Sequence, residues 1–426
     1  MNLALMFIML ILLLLLGVPI AYSIGGAGIV FIMLQNPVFI LTAPQRVWSG
    51  VNSFTLIALP LFMLAGELMN YSGLSKRLIN FSEVLVKPIK GSLAEVNVVA
   101  NMIMGGISGS SVADASALGS VLIPEMEKKG YSKGFSAGLS VASSTMGMII
   151  PPSIPMIMYS MVSGASIAKL FLSGLIPGIL IAIIQVIMVR IIEKKRGYLL
   201  AQRKIPFSEV LQISKDGIFA ILMPLFIVFS IAFGIATPSE SAAIAVLYAL
   251  IIGFLAYREL TMRDVVKALK KTASMSSSIM IIGGFTSIFT WILAIEQVPT
   301  AISNFLISSH IPAFLVFLLF DILLLILGTF LDVTPCILLI TPIFLPALRS
   351  LGMNEIQFGA VLIVGMAIGL VTPPVGMCLF VGSKLSGLKI SEVFKEAAPF
   401  LICNVIVLLL VTFIPFISLW LPGLFG

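Results

Sequence analysis

Residues 147–152 of the chain read Gly-Met-Ile-Ile-Pro-Pro, and residues 369–374 read Gly-Leu-Val-Thr-Pro-Pro. Each hexapeptide lies inside a long apolar segment, 133–162 in the first case and 355–382 in the second. A proline pair cannot continue a helix, because proline lacks the N–H donor and its ring clashes with the preceding turn. The residue before a proline is also driven out of helical conformation. We therefore predict that each segment forms two half-helices joined by unwound backbone.

The composition places these broken helices in a membrane. Of the 426 residues, 59% are hydrophobic and only 10% are charged, whereas a soluble domain carries roughly a quarter charged residues. Strand-like alternation is absent, so helices rather than a barrel satisfy the backbone in lipid. The sequence therefore predicts an all-α polytopic membrane protein that requires the lipid bilayer. The predicted apolar segments are 3–16, 18–34, 52–71, 133–162, 168–192, 215–236, 240–257, 272–295, 355–382 and 396–420.

The charge pattern indicates topology rather than a nucleic-acid partner. The net charge is +7, but the basic residues cluster in the short connections 190–204 and 258–271. Both connections are expected to be cytoplasmic, and 35–50 and 296–311 suit the outer side. The N-terminal apolar stretch has no basic leader and no small-residue cleavage site, so we interpret it as a retained first span with both chain ends outside. Basic residues mixed with apolar ones give two possible structures for 258–271 and for 73–90. Each is either a helix lying along the interface or an ordinary solvated loop.

Two further regions, 93–129 and 311–350, are apolar but interrupted by glycine, proline, serine and aspartate. Such segments are typical of re-entrant hairpins, which membrane proteins tolerate where protein or water covers the irregular backbone. Threading the spans between the cytoplasmic connections makes 93–129 enter from the inner side and 311–350 from the outer side. The sequence thus predicts two re-entrant helical hairpins of opposite orientation.

The hairpins and broken helices form an internal repeat. Pro177 and Pro399 follow the two hexapeptides at the same offset, and Asp114 precedes Pro124 by the same spacing as Asp332 precedes Pro342. Opposite entry of the hairpins makes this an inverted repeat, an arrangement that places substrate and ions near the bilayer midplane.

The tip of the first hairpin has the composition of a binding site. Residues 106–119 read GISGSSVADASALG, and a half-helix starting near Ser111 or Val112 presents free N–H groups that suit an anion. Asp114, with nearby hydroxyl and carbonyl oxygens and the unwound backbone at 147–152, could ligate a small cation. A bound sodium ion would offset the cost of burying the carboxylate. The alternative is that serines and glycines only permit close helix packing, but this explains neither Asp114 nor Asp332.

The remaining polar residues are weaker candidates. Glu67 lies near a helix end and is expected to reach the interface, whereas Asp321 is expected to pair with a neighbouring residue. His310 is predicted to be exposed in an outer loop. The isolated cysteines are predicted to be buried thiols, and together with the single histidine they offer no transition-metal site. These cysteines are Cys336, Cys378 and Cys403.

Four stretches together resemble the large membrane subunit of tripartite ATP-independent periplasmic (TRAP) transporters: GGISGSSVADASALG, IIPPS, GTFLDVTPCILLITPIFLP and GLVTPPVG. The resemblance covers essentially the whole chain. It implies a permease of the bacterial inner membrane, not an enzyme, that imports organic anions with sodium as the coupling ion and without an organic cofactor. Typical substrates are carboxylates such as C4-dicarboxylates, or acidic sugars such as sialic acid. It also implies two partners: a small four-helix membrane subunit (Q-type) encoded as a separate chain, and a periplasmic substrate-binding protein.

The resemblance further implies a fold like that of sodium-coupled dicarboxylate transporters that work by an elevator movement. The moving transport domain would comprise 93–165 and 311–390. The scaffold would comprise 1–92 and 166–310, with 391–426 as a C-terminal helix.

Site residues follow from the same resemblance, motif by motif. A first sodium site would use Ser108, Asp114, Gly147, Ile150 and Pro152. A second would use Gly328, Asp332, Gly369, Thr372 and Pro374. Substrate would lie between the hairpin tips, near Ser110, Ser111, Ser153 and Thr334.

Two other functions are compatible with parts of the sequence. One is a sodium–anion symporter that works without a binding protein. The other is an intramembrane serine hydrolase, because Ser108 is flanked by glycines and one histidine, His310, exists. A serine–histidine dyad needs hydrogen-bonding reach, and the two residues are predicted on opposite sides of the membrane. Phosphate-loop glycine signatures are absent from the sequence, which favours a gradient over nucleotide hydrolysis as the driving force.

Overall fold

The computed structural model describes residues 2–35, 37–86, 92–198 and 207–425, and in these ranges the chain is helical without a β-strand. The elements before the second hairpin are α1 (Asn2–Leu15), α2 (Ile20–Gln35), α3 (Thr42–Val51), α4 (Phe54–Tyr71), α5 (Leu74–Val86), α6 (Leu93–Ser108), α7 (Ser111–Lys128), α8 (Lys133–Ser143), α9 (Ile154–Ser163), α10 (Ile167–Arg196), α11 (Phe207–Ala232), α12 (Pro238–Ile251), α13 (Met262–Ile295) and α14 (Val298–Ser308). They are followed by α15 (Ala313–Phe330), α16 (Val333–Ser350), α17 (Glu355–Gly369), α18 (Met377–Ser386), α19 (Ile390–Phe413) and α20 (Phe416–Leu424).

Seven helices in the described ranges are long and apolar enough to cross a membrane, or up to eight if the bent pair Pro37–Val51 and Leu56–Tyr71 forms one span. This confirms the prediction of an all-α polytopic membrane protein. Many large apolar side chains on these helices are exposed, as expected of surfaces that face lipid tails rather than water.

The structure interrupts both long apolar segments where the Pro-Pro pairs predict it. α8 passes into a 3₁₀ turn, Ser144–Met148, and α9 begins only at Ile154, with the Ser153 side chain capping its first turn. α17 ends at Gly369 and α18 begins at Met377. Four helix ends therefore lie between the half-helices, and part of their N–H and C=O groups are satisfied by caps and turns.

Each predicted hairpin is a pair of helices joined by two residues. α6 and α7 are linked by Gly109 and Ser110, and the left-handed backbone at Gly109 (φ +63°) makes the sharp turn. α15 and α16 are linked by Leu331 and Asp332. The directions in which the hairpins enter the membrane, and hence the inversion of the repeat, stay predictions.

The packing of these elements repeats between the two halves of the chain. The first arm of each hairpin packs on the first half of its own broken helix, α6 on the 3₁₀ turn and α15 on α17. The second arm packs on the final half-helix of the other repeat, α7 on α18 and α16 on α9. The two hairpins and two broken helices therefore form one interlocked group.

Glycine pairs bring each hairpin against its broken helix. A Cβ built on Gly105 would lie 3.1 Å from the Cα of Gly147, and one built on Gly328 would lie 2.9 Å from the Cα of Gly369. At both crossings there is space only for the hydrogen atom of a glycine, and the two backbones are therefore in contact. The sequence motif contains these glycines, but the pairing is visible only in the structure.

Several predicted connections are helical instead. Residues 35–50 and 296–311, predicted as connections, contain α3 and α14, and 396–420 divides into α19 and α20 at Ile414 and Pro415. α3 and α14, with 10 and 11 residues, are too short to give the long apolar run on which the segment prediction was based.

The two segments for which an interfacial helix and a solvated loop were both possible are largely helical in the described residues. Residues 258–271 are not a separate element, because α13 runs without a glycine or proline from Met262 to Gly283 and is capped by Thr261. In the region 73–90, α5 is a helix rather than a loop, and 87–90 lie outside the described residues. The basic residues of 190–204 up to Arg196 lie on the last turns of α10, whereas 199–204 lie outside the described residues.

The long helices α10 and α19 pack against each other and against the interlocked group. α10 contacts α6, α9 and α17, and α19 contacts α8, α17 and α18. The scaffold assignment of residues 166–196 came from the family resemblance, and in the structure this helix lies beside the hairpins.

Candidate functional site

The tip of the first hairpin is fixed by its own hydroxyl groups. The Ser108 hydroxyl accepts a hydrogen bond from the Ser110 N–H at 3.1 Å, and the Ser110 side chain caps α7 by accepting from the Ala113 N–H at 3.4 Å. Ser111 donates to the carbonyl of Thr145 at 3.3 Å. The start of α7 is thereby held against the 3₁₀ turn of the broken helix.

Asp114 lies in the first turn of α7 and is completely buried, with 0% of its surface exposed. Neither carboxylate oxygen has a hydrogen-bonding partner of acceptable geometry among the described residues, although the Ser108 side chain lies near enough to interact with it. A buried polar group without a partner is costly, and a buried charge more so. The position therefore calls for a compensating cation or proton.

The unwound backbone lies directly against this carboxylate. A Cβ built on Gly147 would fall 2.2 Å from Asp114 Oδ2 and 3.1 Å from the Ser110 carbonyl oxygen. On the other side of the turn, the Pro152 carbonyl oxygen would be 2.7 Å from a Cβ on Gly109. Carboxylate, hydroxyl and carbonyl oxygens thus lie around the first hairpin tip, and hard cations prefer ligands of these kinds. The Ile150 side chain packs toward Gly178 on α10, and the predicted role of the Ile150 backbone as a ligand stays a prediction.

The second hairpin tip is related but less complete. Asp332 caps α16, and its Oδ1 accepts from the Val333 N–H at 2.7 Å. The Thr329 carbonyl accepts from the Gly376 N–H at 3.5 Å across the second break. Thr372 donates to the Ile368 carbonyl at 2.9 Å, and Pro374 is exposed. Of the residues predicted for this site, Gly328 and Gly369 are in contact, and Asp332 faces the central cavity described next.

A cavity of about 310 Å³ lies between the two hairpin tips. Among its lining residues are Ser110 and Ser111 at the first tip, and Asp332 and Thr334 at the second. Both α7 and α16 begin at this cavity, so their free N–H groups and positive dipole ends favour an anion there. Of the four residues predicted to bind substrate, only Ser153 is not among the lining residues. It caps α9 and donates to the Met148 carbonyl at 2.5 Å.

The sequence prediction missed the third wall of this cavity, which α13 provides. Ser274, Met275, Ser278, Ile279 and Ile282 line the cavity from one face of this helix. Hydroxyl groups spaced by four residues within an apolar helix were the available signal, since such residues share a face.

A buried polar network supports the first tip from behind. Gln185 on α10 donates to Asn404 on α19 at 2.8 Å and accepts from Ser143 at 2.8 Å. Asn404 in turn donates to the Thr145 hydroxyl at 3.0 Å, and the Thr145 carbonyl holds Ser111. All of these side chains are fully or almost fully buried. The network therefore connects the two repeats to the turn that carries the tip.

Replacing Gln185 by leucine is expected to lower the free energy of unfolding by about 1–3 kcal/mol, because Ser143 and Asn404 would lose a buried partner. Thermal unfolding of the purified protein measures this change. The exposed Asn304 on α14 provides the control, since Asn304→Leu alters an amide that is not buried. Equal unfolding temperatures for the two variants would contradict the role of the network.

The other polar candidates have defined partners. Glu67 forms an ion pair with Lys271 at 2.6 Å, and its position at the interface stays a prediction. The predicted pairing of Asp321 is confirmed, because Thr412 donates to it at 3.0 Å. His310 is exposed, as predicted, and its ring contacts the Ser308 carbonyl, whereas its place on the outer side stays a prediction. Cys336, Cys378 and Cys403 are buried free thiols, as predicted.

Comparison with known proteins places the chain in a functional context. The family model described as "Tripartite ATP-independent periplasmic transporter, DctM component" matches residues 7–417. The sialic acid TRAP transporter large permease protein SiaM of Vibrio cholerae is 36% identical over 96% of this chain and 96% of its own length. The C4-dicarboxylate TRAP transporter large permease protein DctM of Pseudomonas aeruginosa is 34% identical over 95% and 94%.

A third relative is longer than this chain. The isethionate TRAP transporter permease protein DctMQ of Oleidesulfovibrio alaskensis is 34% identical over 96% of this chain, which covers 64% of that relative. Among solved structures, the YdaH transporter of Alcanivorax borkumensis superposes with a TM-score of 0.63 at 12% sequence identity, covering 88% of this chain and 87% of that one. The likeness to YdaH concerns the fold alone.

Proposed function

Because the chain belongs to the family of large permease subunits of TRAP transporters, we propose that it carries an organic acid anion across the bacterial inner membrane together with sodium. Members of this family are permeases of the inner membrane and not enzymes. The observation that carries the proposal is the cavity between the hairpin tips, which two helix N-termini and several hydroxyl groups line, together with the buried Asp114 in the first turn of α7, whose oxygens have no hydrogen-bonding partner among the described residues.

In this proposal hydrogen-bond donors, and not basic side chains, hold the anion in the central cavity. Carboxylate oxygens accept hydrogen bonds from the hydroxyls of Ser110 and Thr334 and from free N–H groups at the starts of α7 and α16. Ser111 also lines the cavity, but its hydroxyl donates to the Thr145 carbonyl. Relatives are named for sialic acid, C4-dicarboxylates, 2,3-diketo-L-gulonate and isethionate. These are all organic acids, and a site made of dipoles rather than a bidentate arginine suits such a varied group.

Sodium is the coupling ion in this proposal, and Asp114 is its principal ligand. The carboxylate is buried beside Gly147 and the Ser110 carbonyl, and Ser108 lies close to it. A monovalent cation would satisfy the orphaned oxygens and neutralise the charge. Asp332 is the corresponding candidate at the second tip, where one oxygen is already engaged as a helix cap. Since both tips border the cavity, ion and anion would stabilise each other there.

The interlocked hairpins and broken helices would move as one body past the scaffold, in an elevator movement. Two partners complete the proposed system: a small four-helix membrane subunit that enlarges the scaffold, and a periplasmic binding protein that delivers the anion. The relative named DctMQ, whose length exceeds the matched region, supports the association with a second membrane component.

Reconstituted transport tests this function. The chain and its small subunit are placed in proteoliposomes with an inward sodium gradient, and uptake of N-acetylneuraminate, succinate, 2,3-diketogulonate and isethionate is measured. We expect uptake of one of these acids that requires sodium and the cognate binding protein. Uptake without the binding protein would instead establish a stand-alone symporter. Uptake that is equal in potassium and sodium would contradict sodium coupling.

A further inference from the structure

A second polar cavity, of about 270 Å³, adjoins the central one on the side of the predicted cytoplasmic connections. The two cavities share lining residues, among them Ser110, Val112 and Met275. The adjoining cavity therefore forms a continuation of the central cavity along the first hairpin tip. Its other polar lining residues are Glu67, Asn70, Ser108, Ser116 and Lys271.

Lys271 provides a positive charge, whereas the hairpin tips contain no lysine or arginine. Its ammonium group lies 2.6 Å from Glu67 Oε1, and its side chain is 51% exposed whereas that of Glu67 is 12% exposed. The carboxylate on α4 thus holds the lysine of α13 in the cavity while leaving much of it accessible to a ligand. The nearby Asn70 Oδ1 is buried and has no hydrogen-bonding partner among the described residues.

One face of α13 connects this lysine to the central site. Lys271 and Met275 line the adjoining cavity, Met275 and Ser278 line the central cavity, and Thr286 and Thr290 line a further polar cavity beyond it. Residues at these spacings lie above one another on a helix. With a rise of 1.5 Å per residue, Lys271 lies about 10 Å along the axis from Ser278. This distance is within reach of an extended lysine and an organic anion a few bonds long.

We propose that Lys271, held by Glu67, is an exit-side binding residue for the carboxylate of the transported anion. The inference rests on the proposed function and adds a residue to the same pathway. An anion that leaves the hairpin tips toward the cytoplasm loses its hydrogen bonds to neutral donors and gains contact with the cationic side chain of Lys271. Because Glu67 partly neutralises that cation, the anion is attracted without being retained. The ion pair also links α4 to α13. The experiment must therefore distinguish a role in anion binding from a purely structural role.

Variants of Lys271 and Glu67 are expected to change the half-saturating internal concentration of the anion in opposite directions. Liposomes containing the chain and its small subunit are loaded with a labelled anion that the wild type imports, and exchange against anion presented by the external binding protein is followed. Lys271→Met, which keeps the aliphatic stem, should raise the half-saturating internal concentration about 3- to 10-fold. Glu67→Gln should lower it, because the lysine charge is no longer neutralised. Lys271→Arg should restore a value close to the wild type.

Lys267 provides a matched control on the same helix. It pairs with Asp264 at 2.9 Å on the surface and is not among the residues that line the cavity. Lys267→Met should leave the internal half-saturation unchanged. If Lys271→Met and Glu67→Gln shift it in the same direction, with equal losses of thermal stability, the pair is only a structural link and the inference is wrong. Failure of the wild type to exchange any organic acid would instead contradict the proposed function itself. Should Lys271→Met not fold, Lys271→Gln provides the same comparison.

Discussion

Asp114→Asn is expected to abolish sodium-dependent uptake. Removing one partner of a buried charge pair costs about 3–5 kcal/mol, and each 1.4 kcal/mol is about tenfold in affinity. Sodium affinity at the first hairpin tip should therefore fall about 100-fold or more. Initial uptake rates measured against sodium concentration should show no saturation in the range where the wild type saturates.

The same variant is expected to separate ion binding from folding. In the wild type, sodium at about 100 times its dissociation constant should stabilise the protein by about 2.7 kcal/mol, because only the folded state binds it. In Asp114→Asn this stabilisation should be lost. Without sodium, however, the variant should be at least as stable as the wild type, because the buried carboxylate has no hydrogen-bonding partner to lose. Thermal unfolding in sodium and in choline chloride measures both effects.

Glu125 is the control for this experiment, since it lies on the same helix as Asp114 but is exposed and paired with Lys128. Glu125→Gln should retain both the sodium activation and the sodium-induced stabilisation. If Asp114→Asn also retained them, Asp114 would not be a sodium ligand, and the convergence of oxygens at the first tip would have only a packing role.

Local chemistry explains why the breaks and hairpins could be predicted from the sequence. A Pro-Pro pair cannot be helical in any environment, so the interruptions at 147–152 and 369–374 follow from covalent structure alone. Glycine, serine and aspartate inside an apolar run similarly mark a turn, and α7 begins at Ser111 as expected. These features depend on neighbours in sequence, which is the information that a single chain provides.

Tertiary contacts set the limit of the prediction. The wall that α13 adds to the central cavity depends on how this helix packs beside the hairpins, and no local pattern specifies that. The helix that α13 forms over residues 262–271 was not predicted, because the clustered basic residues indicated a membrane boundary there. The helix of 34 residues is about 51 Å long, more than the roughly 30 Å of a hydrocarbon core. Part of it can therefore be basic and still be continuous with the span.

The placement of the candidate site residues was predicted unevenly for the same reason. Asp114 and Gly147 are brought together by two elements of one repeat, and their association follows from the hairpin and the break. Ser153 was placed near substrate by motif alone, but as the first cap of α9 its hydroxyl is engaged by the backbone. The ion pair of Glu67 with Lys271 joins residues distant in sequence and could not be anticipated.

Gly369→Ala is expected to cause the second large loss of stability and uptake, through steric overlap rather than a change of charge. A Cβ at this position would lie 2.4 Å from the Cα and 2.6 Å from the carbonyl carbon of Gly328. Both are backbone atoms, so no change of side-chain rotamer can relieve the overlap, and α15 must move away from α17. Overpacking of this kind costs about 1–3 kcal/mol, which thermal unfolding should detect as a lower midpoint.

The displacement should also reach the second hairpin tip. Gly328 lies one turn before Asp332, and the contact of the Thr329 carbonyl with the Gly376 N–H crosses the same interface. Shifting these atoms misplaces the Asp332 side of the central cavity, so uptake should fall by about tenfold or more, since 1.4 kcal/mol of lost binding is tenfold. Gly26→Ala on α2 is the control, because its Cβ would meet only Leu13 Cδ1, at 3.5 Å. The contact of Gly105 with Gly147 is the counterpart in the first repeat. Transport by Gly369→Ala at the wild-type rate would mean that the contact of Gly328 with Gly369 does not position the second tip.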